Sequence, residues 1–96
     1  MRLSAHYRQV IKVACKEVFG EDSQIFLFGS RVDDSKLGGD IDLYIKTPDK
    51  NQLYDKKRKF IAKVMRVLGE QKIDVVFNED ASRLIEQEAE KWKVAL

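Results

Sequence analysis

The sequence has one cysteine, Cys15, so it closes no internal disulfide and assembles no thiolate zinc site. With one proline and five glycines in 96 residues, it has neither a disordered nor a fibrous composition. No uninterrupted apolar run approaches the ~20 residues of a membrane span. Met1-Arg2-Leu3-Ser4-Ala5-His6 lacks the apolar core of a signal peptide, so the chain reads as soluble and cytoplasmic, with no membrane partner. Repeats, linkers and low-complexity segments are missing as well. Eighteen basic against 16 acidic residues leave +2, a balance that does not by itself favour a nucleic acid. What is present is 44% hydrophobic and 35% charged residues, the composition of a folded globular chain. Ninety-six residues enclose one core, so a single domain over residues 1–96 is expected.

The charges are segregated. From Lys50 to Lys72 eight basic residues stand against Asp55 and Glu70, a local +6. From Asn78 to Glu90 five acids stand against Arg83, a local −4. Solvated helix faces are the ordinary meaning of such runs.

Leu3, Tyr7, Val10, Ile11, Ala14 and Val18 recur at helical spacing, and Gly20 supplies a stop, which predicts a helix from about Ser4 to Phe19. Gln24-Ile25-Phe26-Leu27-Phe28 is too short for a helix and ends at Gly29, as a buried strand does. Ser30 to Gly39 is loop chemistry, and Asp40-Ile41-Asp42-Leu43-Tyr44-Ile45 alternates with period two. Asn51 is placed to cap a helix running to about Leu68, with Leu53, Phe60, Ile61, Val64, Val67 and Leu68 as its apolar stripe and Gly69 as its end. Lys72 to Phe77 predicts a third strand. Ala81 to about Lys93 predicts a last helix that buries Leu84, Ile85, Ala89 and Trp92. The order α-β-turn-β-α-β-α implies an α+β fold with a small mixed three-stranded sheet flanked by helices, the second and third strands parallel across a helical crossover.

Residues two apart on a strand share a face, so Asp40 and Asp42 point the same way while Ile41, Leu43 and Ile45 point into the core. Asp74 lies on the face opposite Ile73, Val75 and Phe77, and with the second and third strands adjacent it comes within roughly 5 Å of that acid pair. Carboxylates gathered this way repel, an arrangement that makes sense when a divalent cation neutralises them, and hard oxygen donors suit Mg²⁺ or Mn²⁺. Phe28-Gly29-Ser30-Arg31 ends the first strand with a glycine that admits phosphate to the backbone, a hydroxyl and a guanidinium, a phosphate cradle. A lone strand-edge aspartate is ordinarily only solvated, and a lone Gly-Ser is ordinarily a turn. Together they describe metal-assisted phosphoryl or nucleotidyl transfer. His6 reads as an exposed helical residue, Cys15 as a small residue flanking the core, and Trp92 as either a sheet contact or a partner anchor.

Gly29-Ser30-Arg31, then Gly39-Asp40-Ile41-Asp42-Leu43, then Asp74 within Lys72-Ile73-Asp74-Val75-Val76-Phe77 resemble the signature of the DNA polymerase beta-like nucleotidyltransferase superfamily. More narrowly the chain resembles the minimal nucleotidyltransferases often encoded beside a HEPN-domain protein as antitoxin and toxin. The loop from Ser30 to Asp40 is about one residue shorter than in many relatives, and Gly39 stands where serine is common. The resemblance implies a nucleotidyltransferase fold in which Asp40, Asp42 and Asp74 ligate two Mg²⁺ ions. It also gives Asp74 a share in activating the attacking hydroxyl, and lets Gly29, Ser30 and Arg31 hold the phosphates of ATP or another nucleoside triphosphate. It implies AMP transfer to a hydroxyl of a partner protein, a tyrosine of the HEPN toxin. Two other readings stay open: a non-catalytic binding module that neutralises its partner by covering it, and a transferase acting on RNA ends or a small molecule. A homo-oligomer is compatible with all of them.

Overall fold

The computed structural model describes residues 4–28, 40–70 and 72–96, residue 40 by its backbone alone. Among these residues the chain runs through α1 (Ala5–Phe19), β1 (Gln24–Leu27), β2 (Asp40–Lys46), α2 (Leu53–Leu68), β3 (Lys72–Phe77), α3 (Leu84–Trp92) and β4 (Val94–Ala95). The sheet order is β3-β2-β1-β4. The pair β2 and β3 is parallel, with α2 as its crossover, and β1 is antiparallel to both β2 and β4. The α+β class expected from the sequence is therefore observed, but the sheet has four strands and not three. Val94–Ala95 adds a short edge against Phe26 and Leu27, and a two-residue strand carries no periodicity to read beforehand.

Ser4 caps α1, its side chain accepting the Tyr7 N–H at 3.2 Å. The helix ends at Gly20, whose φ of 99° suits a residue without a Cβ, and Gly69 ends α2 in the same way at φ 84°. After α1 the chain is pinned by Lys16, whose ammonium donates to the Glu21 and Ser23 carbonyls at 2.8 and 2.6 Å. Cys15 is fully buried rather than flanking the core, and that burial raises its thiol pKa.

Asn51 does not cap α2. Its N–H donates to Asp49 Oδ1 at 2.9 Å, forming an Asx turn, and Gln52 takes the cap position in left-handed backbone with no side-chain cap bond. The predicted stripe holds for Leu53, Phe60 and Val64, which are buried, while Val67 is 59% exposed.

One apolar cluster joins α1 and α2 to one face of the sheet. Ile11 and Phe19 of α1 and Phe60 and Val64 of α2 meet Leu27, Leu43, Ile45 and Phe77 there. Phe19 stacks at a tilt on Phe77 and Phe60, with ring centroids 5.5 and 5.9 Å away. A second, smaller cluster on the opposite face joins Phe28, Tyr44 and Ala89, with Phe26 and Val76 against it, and this is where α3 docks.

The last helix differs most from expectation. It starts at Leu84, not Ala81, because Asp80 accepts from the N–H and Oγ of Ser82 and holds residues 80–82 in a turn. Leu84, Ile85 and Trp92 are exposed, and the buried residues of α3 are Glu86 and Ala89. Small Ala89 lets the helix approach Tyr44 closely. Buried Glu86 is satisfied by the Asp80 N–H at 2.8 Å and by Arg83 at 3.4 Å.

Candidate functional site

Alternation along β2 divides its side chains cleanly. Ile41, Leu43 and Ile45 have no exposed surface and face α1 and α2, while Tyr44 lies in the cluster beneath α3. Asp42 stands on the Tyr44 side by the period of the strand, and it is half-buried. On β3 the buried residues are Ile73, Val75 and Phe77, which leaves Asp74 exposed on the face that carries Asp42.

The parallel register makes Asp42 and Asp74 direct partners. Like charges directly opposite on adjacent strands are ordinarily avoided, because they repel. Asp40 opens β2 with its backbone paired to Lys72; its side chain lies outside the described residues. Gly29, Ser30 and Arg31, the expected phosphate cradle, also lie outside them. Phe28, the last described residue of that segment, donates its N–H to the Asp42 carbonyl at 3.1 Å, so the pairing with β2 extends through Phe28.

Among the described residues no group of three His, Cys, Asp or Glu side chains stands placed to hold a metal ion. The donors at the register pair are nonetheless of the right kind: two hard carboxylates side by side, without nitrogen or sulfur, fit Mg²⁺ or Mn²⁺ and not a soft metal.

Beyond the acid pair the same face opens into a cleft of about 520 Å³, lined by Tyr44, Lys46, Asn78, Glu86, Glu90 and Lys91. Thr47 donates its N–H to Asn78 Oδ1 at 3.1 Å and so ties the ends of β2 and β3 together below it. A polar network at the cleft wall was not legible as such in the sequence. Tyr44 donates its hydroxyl to Glu90 Oε2 at 2.8 Å, and the same carboxylate pairs with Lys46 at 3.0 Å and with Lys93. Glu90 is held down to about 2 by these partners, Lys93 first, then Tyr44 and Lys46. The Tyr44 phenol is pushed well above its ordinary value, by burial and then by Glu90. The only sequence signal for this contact was a tyrosine among the apolar residues of β2.

No curated protein matches the chain in a sequence comparison. A family model described as nucleotidyltransferase domain matches residues 8–95, from within α1 to the last residue of β4. The chain belongs to that nucleotidyltransferase domain family. Among the described residues no helix is long and apolar enough to cross a membrane.

Proposed function

We propose that this nucleotidyltransferase domain transfers AMP from ATP to a hydroxyl of a partner protein, a tyrosine of a HEPN-domain toxin that the transfer neutralises. The observation that carries the reading is the in-register pair Asp42 and Asp74, set on the open face of the sheet within a chain matched to the nucleotidyltransferase family almost end to end. In this reading Asp40, Asp42 and Asp74 hold two Mg²⁺ ions, and Gly29, Ser30 and Arg31 receive the β- and γ-phosphates. Bound there, the ions supply charge neutralisation at the triphosphate.

The chain's own residues do the rest. Asp74, exposed on β3, accepts the proton of the attacking hydroxyl. The acceptor oxygen bonds to the α-phosphorus, the bond from that phosphorus to the bridging oxygen breaks, and pyrophosphate leaves. Asp42 is fixed by its strand, and the Phe28 N–H bonded to its carbonyl holds the end of the first strand beside it.

The test is transfer of label from α-labelled ATP to the purified partner. Asp42→Asn is expected to abolish it, and Asp74→Asn to lower it by ~10²–10⁴, the usual worth of a positioned base. Full activity in Asp42→Asn would overturn the reading. The exposed Leu84, Ile85 and Trp92 on α3 favour a second reading, neutralisation by covering the partner. Neutralisation that survives replacement of Asp40, Asp42 and Asp74 by Asn would establish it.

A further inference from the structure

Glu86 is an acid on the covered face of α3, where a carbon side chain is the ordinary occupant. It is 3% exposed and lines the cleft of about 520 Å³ between α3 and the ends of β2 and β3. The contacts that satisfy it both fall on one oxygen: Oε2 accepts the Asp80 N–H at 2.8 Å and faces Arg83 Nη1 at 3.4 Å. Oε1 has no partner among the described residues. Arg83 is itself divided, because the same Nη1 lies 3.1 Å from Glu79 Oε2. Two carboxylates therefore share one guanidinium, and one negative charge is left over. The other cations at the cleft are engaged elsewhere: Lys46 pairs with Glu90 at 3.0 Å, and Lys91 lies over the Trp92 ring, 5.2 Å from its centroid. Gln87 directs its amide N–H groups to the Ala81 and Ser82 carbonyls. A charge buried this deeply is costly unless it is paired and hydrogen-bonded, so an oxygen without a partner at the wall of a cleft points to a ligand that completes it.

The cleft opens on the face that carries Asp42 and Asp74. Tyr44, at its wall, stands two residues beyond Asp42, and Asn78 stands four beyond Asp74, which puts the cleft ~7–13 Å from the acid pair at the ~3.3 Å rise of a strand. An extended polypeptide covers that distance in roughly two to four residues. Resting on the reading above, we infer that this cleft is where the acceptor docks: the partner protein inserts a lysine or arginine side chain whose N–H groups donate to Glu86 Oε1, while the hydroxyl to be modified lies against Asp74. An ammonium or a guanidinium supplies both things that Glu86 lacks, a donor for its second oxygen and the missing positive charge. A metal ion fits less well, because it needs several oxygens and no three carboxylates gather there among the described residues. Glu86 takes no part in the transfer step; it determines which acceptor is held.

The first experiment needs no nucleotide. n-Butylguanidinium, n-butylammonium and, as a neutral control, n-butanol are titrated into the purified protein and followed by amide chemical shifts. Both cations are expected to shift residues 44–46, 78–81 and 86–90 saturably, and butanol at the same concentration is expected to leave them in place. Glu86→Gln is expected to weaken cation binding by about fivefold or more, within the usual worth of a hydrogen bond to a charged group, and Asp42→Asn to leave it within about twofold of wild type. Arg83→Gln keeps Glu86 and removes the shared guanidinium. It is expected to tighten cation binding by about threefold, an effect foreign to a Glu86 that only holds the turn at Asp80. In the second experiment, butylguanidinium is added during transfer of label from α-labelled ATP to the partner, and it is expected to raise KM for the partner with kcat unchanged. Equal shifts from butanol, or cation binding in Glu86→Gln within about twofold of wild type, would overturn the cation site. Transfer that is indifferent to saturating butylguanidinium would overturn the docking role. The two failures stay distinguishable: a protein that transfers label but binds neither cation removes this inference alone, and one that binds the cations but transfers no label removes the reading above and the docking role with it.

Discussion

Asp42 and Asp74 face each other across a parallel strand pair, each the register partner of the other. The pairing of β2 with β3 fixes their distance, and the crossover through α2 fixes that pairing. A site of this kind is as rigid as the sheet.

Removal of the exposed Asp74 carboxylate is expected to stabilise the protein slightly when no divalent ion is present. Asp74→Asn, at an exposed position, should raise the thermal midpoint in EDTA by the equivalent of up to ~1 kcal/mol. Addition of Mg²⁺ should raise the midpoint of the wild type and leave that of the variant nearly unchanged, since an ion stabilises only the state that binds it. Scanning calorimetry with and without Mg²⁺ reads both effects, and a variant that is less stable in EDTA would contradict the first.

The core beneath α1 and α2 depends on a few aromatic rings. Phe60 has no exposed surface and packs on Phe19 at 5.9 Å, so Phe60→Ala is expected to cost ~3–5 kcal/mol through lost burial and the cavity left behind. Total stability for a domain of this size is ~5–15 kcal/mol, and urea titration should find the variant close to unfolding.

The two faces of α3 should respond in opposite ways to substitution. Leu84 is 79% exposed, and Leu84→Ser is expected to change stability by no more than ~0.5 kcal/mol. Ala89 has no exposed surface and sits against Tyr44, so Ala89→Leu is expected to cost ~1–3 kcal/mol by overpacking. Equal costs at the two positions would mean that the helix docks by another face.

Glu90 gives the fold a small dependence on acid. Its folded-state pKa is depressed from 4.5 to about 2, so its stabilising contribution is complete above the ordinary glutamate range. It is lost as pH falls from about 4.5 toward 2. The side chain is 41% exposed, so solvent screening holds the effect to under ~1 kcal/mol. The difference in denaturation midpoint between wild type and Glu90→Gln is expected to shrink over that window, and a difference that is constant across it would remove Glu90 as the cause.

Much of this was legible in the amino-acid order. Period-two alternation in β2 and β3 put Asp42 and Asp74 on one face and Ile41, Leu43, Ile45, Ile73, Val75 and Phe77 on the other, and it did so because one residue of slip would bury charge. Helical spacing and two glycines marked α1 and the end of α2. Gly-Ser, Asp-x-Asp and the later strand aspartate carried the family resemblance. Gly29, Ser30, Arg31 and the Asp40 side chain lie outside the described residues, and their part rests on sequence and on the proposal above.

Tertiary structure alone decided the rest. Strand β4 exists because α3 returns the chain to the free edge of β1, a nonlocal pairing that two residues cannot announce. The stripe of Leu84, Ile85 and Trp92 has the spacing of a core face yet stays outside, because a small alanine and a satisfied Glu86 let α3 approach Tyr44 more closely than leucines would. Asn51 lost the cap of α2 to a turn organised by Asp49. Local rules determined which residues form each element and which face holds the acids. Contacts between elements far apart in sequence determined which apolar residues are covered and how β1 is braced beside Asp42.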